Sequence, residues 1–324
     1  MLYVAHITAL EILRDQRTLL PELLAHPRTR SLKDPSLLAP NLLDELMQRN
    51  GAISKPFHVM TDDPNNPWRN RDDVVVHAYS CQLPYRSVIF VSSELSIASP
   101  ELIFIQLAAS GEYDELDLAC IGYEMCGTYV TDQSWDGLTN TGVNMTTVAK
   151  INRFAAHLKN YRGVERARKV LRLIHDKSNS PMESVMALIF AGARRIGGLH
   201  LGRIALNHPV ETNDGTKYID LYFLDYQLGL EYKGRKAHSV EATQRDDRRQ
   251  NRIAGAGITT INVWYEDLVE DHLFNKLVQD IANTMGRRLR IRSKQSASDQ
   301  QLLRAKLLPD IKAYGSLTIQ EPES

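Results

Sequence analysis

Two acids and a lysine lie at spacings that suit metal chemistry in the segment 217–234, KYIDLYFLDYQLGLEYKG. Glu231 and Lys233 are two residues apart in an alternating apolar run, so a β-strand places both side chains on one face. Asp220 lies in the preceding alternating run, and a turn near 225–227 is predicted between the two runs. A hairpin with that turn sets Asp220 almost opposite Glu231.

Paired carboxylates at that distance repel each other, and one of them is driven towards protonation unless a cation is bound. Mg²⁺ relieves the repulsion because hard cations prefer carboxylate oxygens and keep bound water, and Mn²⁺ is the alternative ion. We therefore predict that Asp220 and Glu231 hold the metal. Lys233 would lower the pKa of an attacking water or stabilise negative charge in the transition state. Glu183, at the start of the preceding helix, is predicted to supply a third carboxylate.

A structural explanation of the same residues stays open. An acid and a lysine two residues apart occur by chance in most proteins, and an edge strand carries such charges to remain soluble. The combination is more specific than the triplet, because acids lie on both strands, Gly234 follows the lysine and a basic helix comes next. This combination favours a metal-dependent site.

The pattern of apolar residues predicts the elements that would position this site. Ser180 and Pro181 begin a helix, SPMESVMALIFAGARR, as its cap and first residue. A strand near 203–211 and the hairpin follow. A charged helix at 240–256, the strand GITTINVW and a helix at 266–286 complete the order α-β-β-β-α-β-α. The strand–helix–strand step predicts a mixed sheet flanked by helices, and hence an α/β (α+β) fold.

These motifs resemble those of the Vsr-like and DUF559-like branch of the PD-(D/E)XK nuclease superfamily over roughly residues 178–285. The matching residues are Glu183, Asp220, Glu231, Lys233, Gly234, His238, Arg245, Asp246, Arg249 and Gly257. The resemblance implies a restriction-endonuclease-like fold and Mg²⁺-dependent cleavage of DNA. Many members of that branch carry an acid where this chain has Lys233. It is therefore open whether His238 acts near the attacking water or is a surface or capping residue.

Basic residues provide the expected contacts to nucleic acid. Four arginines of the helix at 240–256 are predicted to approach phosphates: Arg245, Arg248, Arg249 and Arg252. Further basic runs occupy 153–172 and 287–294, and solvated helix faces are the alternative explanation for each run. The formal net charge of zero argues against a protein that coats nucleic acid indiscriminately. DNA is the expected substrate, with RNA as the alternative.

The N-terminal half gives a weaker pattern. Strand-like residues occur at 73–79 and 87–92, helices are predicted from Ser99 and over 114–125, and the polar stretch 131–147 suggests a loop or linker. The segment SPELIFIQLAA, with CGTY further on, is similar to AbiE-type abortive-infection antitoxins. That similarity implies recognition of DNA, of a cognate toxin or of an operon partner, and a plain helical core is the alternative. We predict a mainly helical N-terminal domain.

A length of 324 residues favours two domains. The predicted layout is an N-terminal α/β region at 1–145, a helical connector at 146–177, the nuclease-like domain at 178–286, and a basic segment with a polar tail at 287–324. The three cysteines are odd in number and lack metal-ligand spacing, which is typical of buried thiols in a reducing compartment. Neither a signal peptide nor a membrane span is predicted, so a cytoplasmic protein is expected.

Two functional hypotheses follow. The first is a Mg²⁺-dependent endonuclease that acts in phage defence, restriction or repair. The second is a non-cleaving, antitoxin-like regulator that uses a nuclease-like fold to recognise DNA. Intact acids beside Lys233 favour the first hypothesis, whereas the zero net charge and the large N-terminal half favour the second.

Overall fold

The structure is a computed structural model. The residues it describes are 1–32, 45, 53–63, 65, 71–79, 82–131, 138–158, 161–234, 240–288 and 294–308, with the backbone alone at 138–139, 240–247 and 294. The chain divides into two units, Met1–Ile174 and His175–Ser324. Both units combine helices with a mixed sheet, so the general α+β class is confirmed. No helix in the described ranges is long and apolar enough to cross a membrane.

A mixed sheet of six short strands lies in the described part of the first unit, in the order β2-β5-β6-β1-β3-β4, and β7 and β8 pair separately. The strands are β1 (Leu2–Val4), β2 (Arg28–Thr29), β3 (Phe57–Thr61), β4 (Val74–Ala78), β5 (Val88–Phe90), β6 (Leu95–Ala98), β7 (Tyr129–Thr131) and β8 (Leu138–Asn140). Pairs β1–β6 and β3–β4 are parallel, and the other neighbours are antiparallel.

This sheet corrects the prediction of a mainly helical N-terminal domain. β4 and β5 fall within the strand-like stretches 73–79 and 87–92, as predicted. β1 and β3 were not predicted, because every residue of each is buried and the alternation of apolar and polar residues is lost. β8 lies inside the stretch 131–147, which was predicted to be a loop.

The helices of the first unit are α1 (His6–Asp15), α2 (Leu20–Ala25), α3 (Pro100–Ser110), α4 (Glu115–Cys126), α5 (Val148–Ala156) and α6 (Val164–Leu171). Helix α3 begins as predicted, with the Ser99 hydroxyl accepting a hydrogen bond from the Leu102 N–H at 3.3 Å. Nine of its eleven residues are buried, and it contacts α1, α4, α5 and α6. Of the cysteines expected to be buried, Cys126 is buried and Cys120 is exposed, while Cys81 lies outside the described residues.

The second unit begins with α7 (Pro181–Met186), which continues as a π-helical turn at Ala187–Ala191 and is followed by a 3₁₀ turn at Arg194–Ile196. Its further elements are β9 (Ile204–Thr212), β10 (Gly215–Phe223), β11 (Leu228–Lys233), α8 (Val240–Gly255), β12 (Thr259–Trp264), α9 (Tyr265–Val269), α10 (Asp271–Thr284) and α11 (Lys294–Leu307). The strand order is β12-β11-β10-β9, with β11 and β12 parallel and the other pairs antiparallel.

The hairpin β10–β11 has the predicted register. Leu221 pairs with Leu230 and Phe223 with Leu228, so the turn covers 224–227. The paired residues end at Leu221 and Leu230, and Asp220 and Glu231 are the next residue on each strand. Because β11 has a neighbouring strand on each side, the edge-strand explanation for the charges of β11 is wrong.

Candidate active site

Asp220 and Glu231 lie on β10 and β11, the two central strands of the second unit's sheet. Glu231 is buried, with 2% of its surface exposed. Asp220 Oδ2 accepts a hydrogen bond from the Tyr232 N–H at 2.8 Å, which fixes the Asp220 carboxylate against β11. Lys233, two residues beyond Glu231, is half-buried and lies on the same face of β11. The hairpin therefore brings together the three residues whose spacing predicted a site.

Glu183 is held at the start of α7 by the cap of that helix. The Ser180 hydroxyl accepts from the Glu183 N–H at 3.2 Å and donates to Glu183 Oε1 at 3.1 Å. Glu183 Oε2 accepts from the Asn179 N–H at 2.7 Å and from the Asn207 amide at 2.5 Å. A capping role alone would explain the serine contacts, but this carboxylate is also buried, with 6% exposed.

Burial and mutual repulsion link Glu183, Asp220 and Glu231 electrostatically. Burial raises the pKa of Glu183 to about 7, and the negative charge of Asp220 adds to this rise. Burial also raises the pKa of Asp220 to about 6, and Glu231 is the second cause. The Tyr232 N–H, Arg249 and Lys233 act in the opposite direction on the pKa of Asp220. Asp220 therefore interacts with both of the other acids.

Arg249 of α8 forms an ion pair with Glu231. Its guanidinium donates two hydrogen bonds to the Glu231 carboxylate, at 2.6 and 3.0 Å, and a third to the Tyr218 carbonyl. Arg249 was predicted to contact phosphates, and the structure instead places it on a predicted metal ligand. The arginine supplies positive charge where the prediction assigned a metal ion.

The other predicted residues are not brought to this cluster by any described contact. Arg252 pairs with Asp214, with 3.3 Å between Nε and Oδ2. Arg248 is exposed. Arg245 lies in α8, where only its backbone is described, and His238 lies outside the described residues.

Asn207 is a site residue that the sequence patterns did not single out. It lies in β9 between Leu206 and His208, whose partners Leu221 and Ile219 are the two neighbours of Asp220 in β10. Its backbone is left-handed, with a φ of 45°, a conformation that non-glycine residues rarely adopt within a strand. Its amide nitrogen donates to Glu183 and to the Lys177 carbonyl, and its oxygen accepts from Asn179. An asparagine in a strand was the available signal, because asparagine is depleted in strands and tolerates left-handed backbone.

The donor atoms of Glu183, Asp220 and Glu231 suit a hard divalent cation. Among the described His, Cys, Asp and Glu side chains, the one group of three with all ligand atoms within 4.8 Å of one another is a histidine cluster of the first unit. The acids of the second unit therefore do not close to that distance as a trio. A hard cation here would be held by the pair Asp220 and Glu231 together with water, with Glu183 further away.

Comparisons with known proteins give no assignment. No protein-family model matches the chain. No curated protein and no solved structure matches it significantly. The resemblance to the PD-(D/E)XK superfamily stays a prediction that depends on the motifs alone.

Proposed function

We propose that the second unit is a metal-dependent nuclease that hydrolyses the phosphodiester bonds of DNA, with Asp220 and Glu231 as ligands of Mg²⁺. One observation carries the proposal: Asp220 is a half-buried acid near the buried acids Glu183 and Glu231, and its pKa is raised to about 6. Such a cluster is unfavourable for folding, and a bound divalent cation would offset the repulsion.

Each side chain has a role that follows from its surroundings. Mg²⁺, when bound, would polarise a phosphate and lower the pKa of a bound water. Glu183 exchanges a proton near neutral pH because its pKa is about 7. It would take that proton at Oε1, which accepts the Ser180 hydroxyl, whereas Oε2 already accepts two N–H groups. Lys233 supplies positive charge beside Asp220, where negative charge develops as the phosphate is attacked.

The ion pair between Arg249 and Glu231 favours a second candidate function, a DNA-binding regulator that does not cleave. In that case Arg249 is the permanent partner of Glu231, and no metal ion is needed for the charge of this acid. In the nuclease, Arg249 would hold the charge of Glu231 in the metal-free protein, and an ion bound by Glu231 would take the place of at least one of its two hydrogen bonds to Arg249. The two functions therefore differ in what Mg²⁺ does to the protein.

The test is cleavage of supercoiled plasmid, single-stranded DNA and single-stranded RNA by the full chain with Mg²⁺ or Mn²⁺. Asp220→Asn and Glu231→Gln should each lose roughly 100-fold or more in rate, because metal binding lowers the barrier by several kcal/mol. Asp225→Asn is the matched control, since Asp225 lies in the turn of the same hairpin and pairs with exposed Arg203 at 2.5 Å.

The choice of substrate and the choice of function are read from the same experiment. Cleavage of RNA but not of DNA would change the substrate and keep the site. If wild type and Asp220→Asn bind DNA equally and neither cleaves with either ion, the nuclease proposal fails and the regulator remains.

A further inference from the structure

Three histidines of the first unit meet although they lie far apart in the sequence. His6 is the first residue of α1, His58 lies in β3 and His77 in β4. Their ring centroids are 4.3 Å apart for His6 and His58, 5.1 Å for His58 and His77, and 5.3 Å for His6 and His77. One nitrogen from each ring lies within 4.8 Å of the others. We call these three residues the histidine cluster.

The sheet brings the histidine cluster together. β3 and β4 are parallel, with His58 beside Val75 and His77 beside Met60, so the two histidines are diagonal neighbours on one face. β1 pairs with β3 and ends two residues before His6. The Ala5 N–H donates to the His58 carbonyl at 2.9 Å, which holds the start of α1 against β3.

His6 is the member whose placement needs explanation. It is fully buried, and neither of its ring nitrogens has a hydrogen-bond partner among the described residues. Its φ is 55°, a left-handed conformation that is uncommon for residues with a β-carbon. Buried polar atoms without partners and strained backbone both destabilise a fold, and strain of this kind concentrates at functional sites. A leucine would fill the same space without the polar atoms.

The nitrogen atoms lie close enough together to share one ion. His58 Nδ1 and His77 Nε2 are 2.9 Å apart and form a hydrogen bond, so a bound ion would replace this bond and the nitrogen that donates it would lose its proton to the other ring nitrogen or to solvent. Burial lowers the pKa of His6 to about 3 and those of His58 and His77 to about 4, so all three imidazoles are neutral at pH 7. Neutral imidazole is the form that coordinates metal ions.

We propose that the histidine cluster binds one divalent transition-metal ion of the type that imidazole prefers, with Zn²⁺ as the probe. Zinc–nitrogen bonds of about 2.0–2.1 Å in a tetrahedral site set the ligand nitrogens about 3.3 Å apart, close to the 2.9 Å between His58 and His77. The ring planes differ by 15 to 23°, so ring rotations are needed to aim the three lone pairs at one point. Three protein ligands leave a fourth position for water or another ligand.

This site differs in chemistry from the acids of the second unit. Imidazole nitrogens suit zinc and its neighbours in the first transition row, whereas carboxylate oxygens suit Mg²⁺. The proposal concerns residues of the first unit alone and does not depend on the nuclease proposal. The experiment must still exclude metal that binds at Asp220 and Glu231 from the measured number of ions per chain.

The experiment uses the full chain without a histidine tag, stripped of metal by a chelator and titrated with Zn²⁺ and with Co²⁺. Parallel titrations of the Asp220→Asn, Glu231→Gln double variant remove the contribution of the acids. We expect one Zn²⁺ per chain in this background and the visible absorption of four-coordinate Co²⁺. His77→Gln should weaken binding at least about 100-fold, because loss of a ligand exceeds the 10–100-fold typical of second-shell partners.

His157→Gln is the matched control, since His157 is an exposed histidine of the same unit. This variant should bind Zn²⁺ with the affinity of the wild type. Equal Zn²⁺ affinity for wild type and His77→Gln would overturn the proposal, as would the absence of stoichiometric binding. Zinc X-ray absorption of the wild type needs no variant and keeps the test valid if His77→Gln misfolds. Three imidazole ligands would support the site, and a shell of oxygen alone would exclude it.

Discussion

Glu183 and Asp220 are carboxyl groups that the folded chain makes harder to ionise. Their pKa values are about 7 and about 6, against ordinary values of 4.5 and 3.8. At these two groups the folded protein holds protons that the unfolded chain has released over this interval, so their contribution to stability falls as the pH rises. The stabilisation is complete below the ordinary pKa values and lost as the pH passes through the folded ones.

We predict that these two carboxyl groups lower the free energy of unfolding of the metal-free protein by at least about 2 kcal/mol between about pH 4.5 and 7.5, since one pKa unit corresponds to about 1.4 kcal/mol. The lowered pKa values of His6, His58 and His77 raise the free energy of unfolding over the same interval, so the contribution of the acids is the difference between wild type and variant. Urea unfolding across this pH range measures the decline. Glu183→Gln should remove a large part of it, because a neutral amide does not titrate. Glu211→Gln, an exposed acid of β9, should leave it unchanged. A difference in free energy of unfolding between wild type and Glu183→Gln that stays constant over this pH interval would contradict the prediction.

Asp220→Asn separates a metal site from a structural ion pair. The variant removes one of the opposed charges, and its amide oxygen can still accept the Tyr232 N–H. We expect the metal-free variant to be more stable than wild type by on the order of 1 kcal/mol. Millimolar Mg²⁺ should raise the melting temperature of wild type through linkage and leave the variant nearly unmoved. A variant that melts lower, with no response to Mg²⁺ in either protein, would make these carboxylates structural.

Arg249 allows a complementary experiment, because it competes with a metal ion for Glu231. Arg249→Ala leaves a buried carboxylate without its cation and should cost about 3 kcal/mol in the absence of metal. If Glu231 is a ligand, Mg²⁺ should raise the melting temperature of this variant more than that of wild type. Arg252→Ala is the control, since its pair with Asp214 is exposed to solvent and contributes little to stability. Equal Mg²⁺ responses in all three proteins would show that the ion does not bind at Glu231.

At the scale of the element, β9 has a left-handed backbone at Asn207, the residue that contacts Glu183. Two substitutions separate the backbone from the amide. Asn207→Gly keeps the left-handed backbone and loses the contacts to Glu183 and Lys177, which should cost about 1–2 kcal/mol. Asn207→Ala also places a β-carbon in the left-handed region, which should cost about 1 kcal/mol more. In an ordinary strand glycine is less stable than alanine, so denaturant midpoints with alanine above glycine would exclude the strain.

Local rules predicted the parts of the site that lie close together in the sequence. The hairpin with its turn at 224–227 and the Ser180 cap depend on neighbouring residues alone, and both are found. The pair of Arg249 and Glu231 depends on how α8 lies against β11, and nothing in the helical spacing of arginines separates a phosphate contact from an ion pair. The histidine cluster was missed for the same reason, because its members come from three elements.

The C-terminal region shows a different limit of prediction from sequence. Residues 287–324 were predicted to be a basic segment and a polar tail, yet α11 occupies Lys294–Leu307. Arg304 in this helix is 5% exposed, pairs with Asp271 and lies over the ring of Phe274 at 4.1 Å. The Arg304 guanidinium is therefore buried, with an ion pair and a cation–π contact as its partners. A prediction from composition alone counts the same arginine as a solvated charge.

At the scale of the whole molecule, zero net charge conceals an uneven distribution of basic residues. The run 153–172 divides into two kinds of residue. Arg168 and Lys169 pair with Glu165 and Glu115, at 2.6 and 3.1 Å, which fits the solvated-face explanation. Arg153 instead lines a cavity of about 510 Å³ in the first unit, which contains five basic side chains and one acid. The basic and acidic lining residues are Arg28, Arg86, Lys150, Arg153, His157 and Glu101.

This cavity is where we expect the first unit to contact phosphates. Arg28 has a buried Nε without a hydrogen-bond partner among the described residues, and its single described acid, Glu101, lies 3.2 Å from its Nη1. Lys150 and Arg153 are exposed at the cavity and can reach a ligand. If they bind DNA, each contact releases a counterion, so each alanine variant should lower the slope of log affinity against log salt by about 0.9.

The measurement is binding of the full chain to a short DNA duplex over a range of salt concentrations, in a chelator so that no cleavage occurs. Arg168→Ala is the matched control, because it removes a basic residue of the same run that already pairs with Glu165. A lower slope for Lys150→Ala and Arg153→Ala, with an unchanged slope for Arg168→Ala, would assign DNA contact to the first unit. Equal slopes in the wild type and the three variants would show that DNA phosphates contact surfaces other than this cavity. The first unit would then need a partner of a different kind.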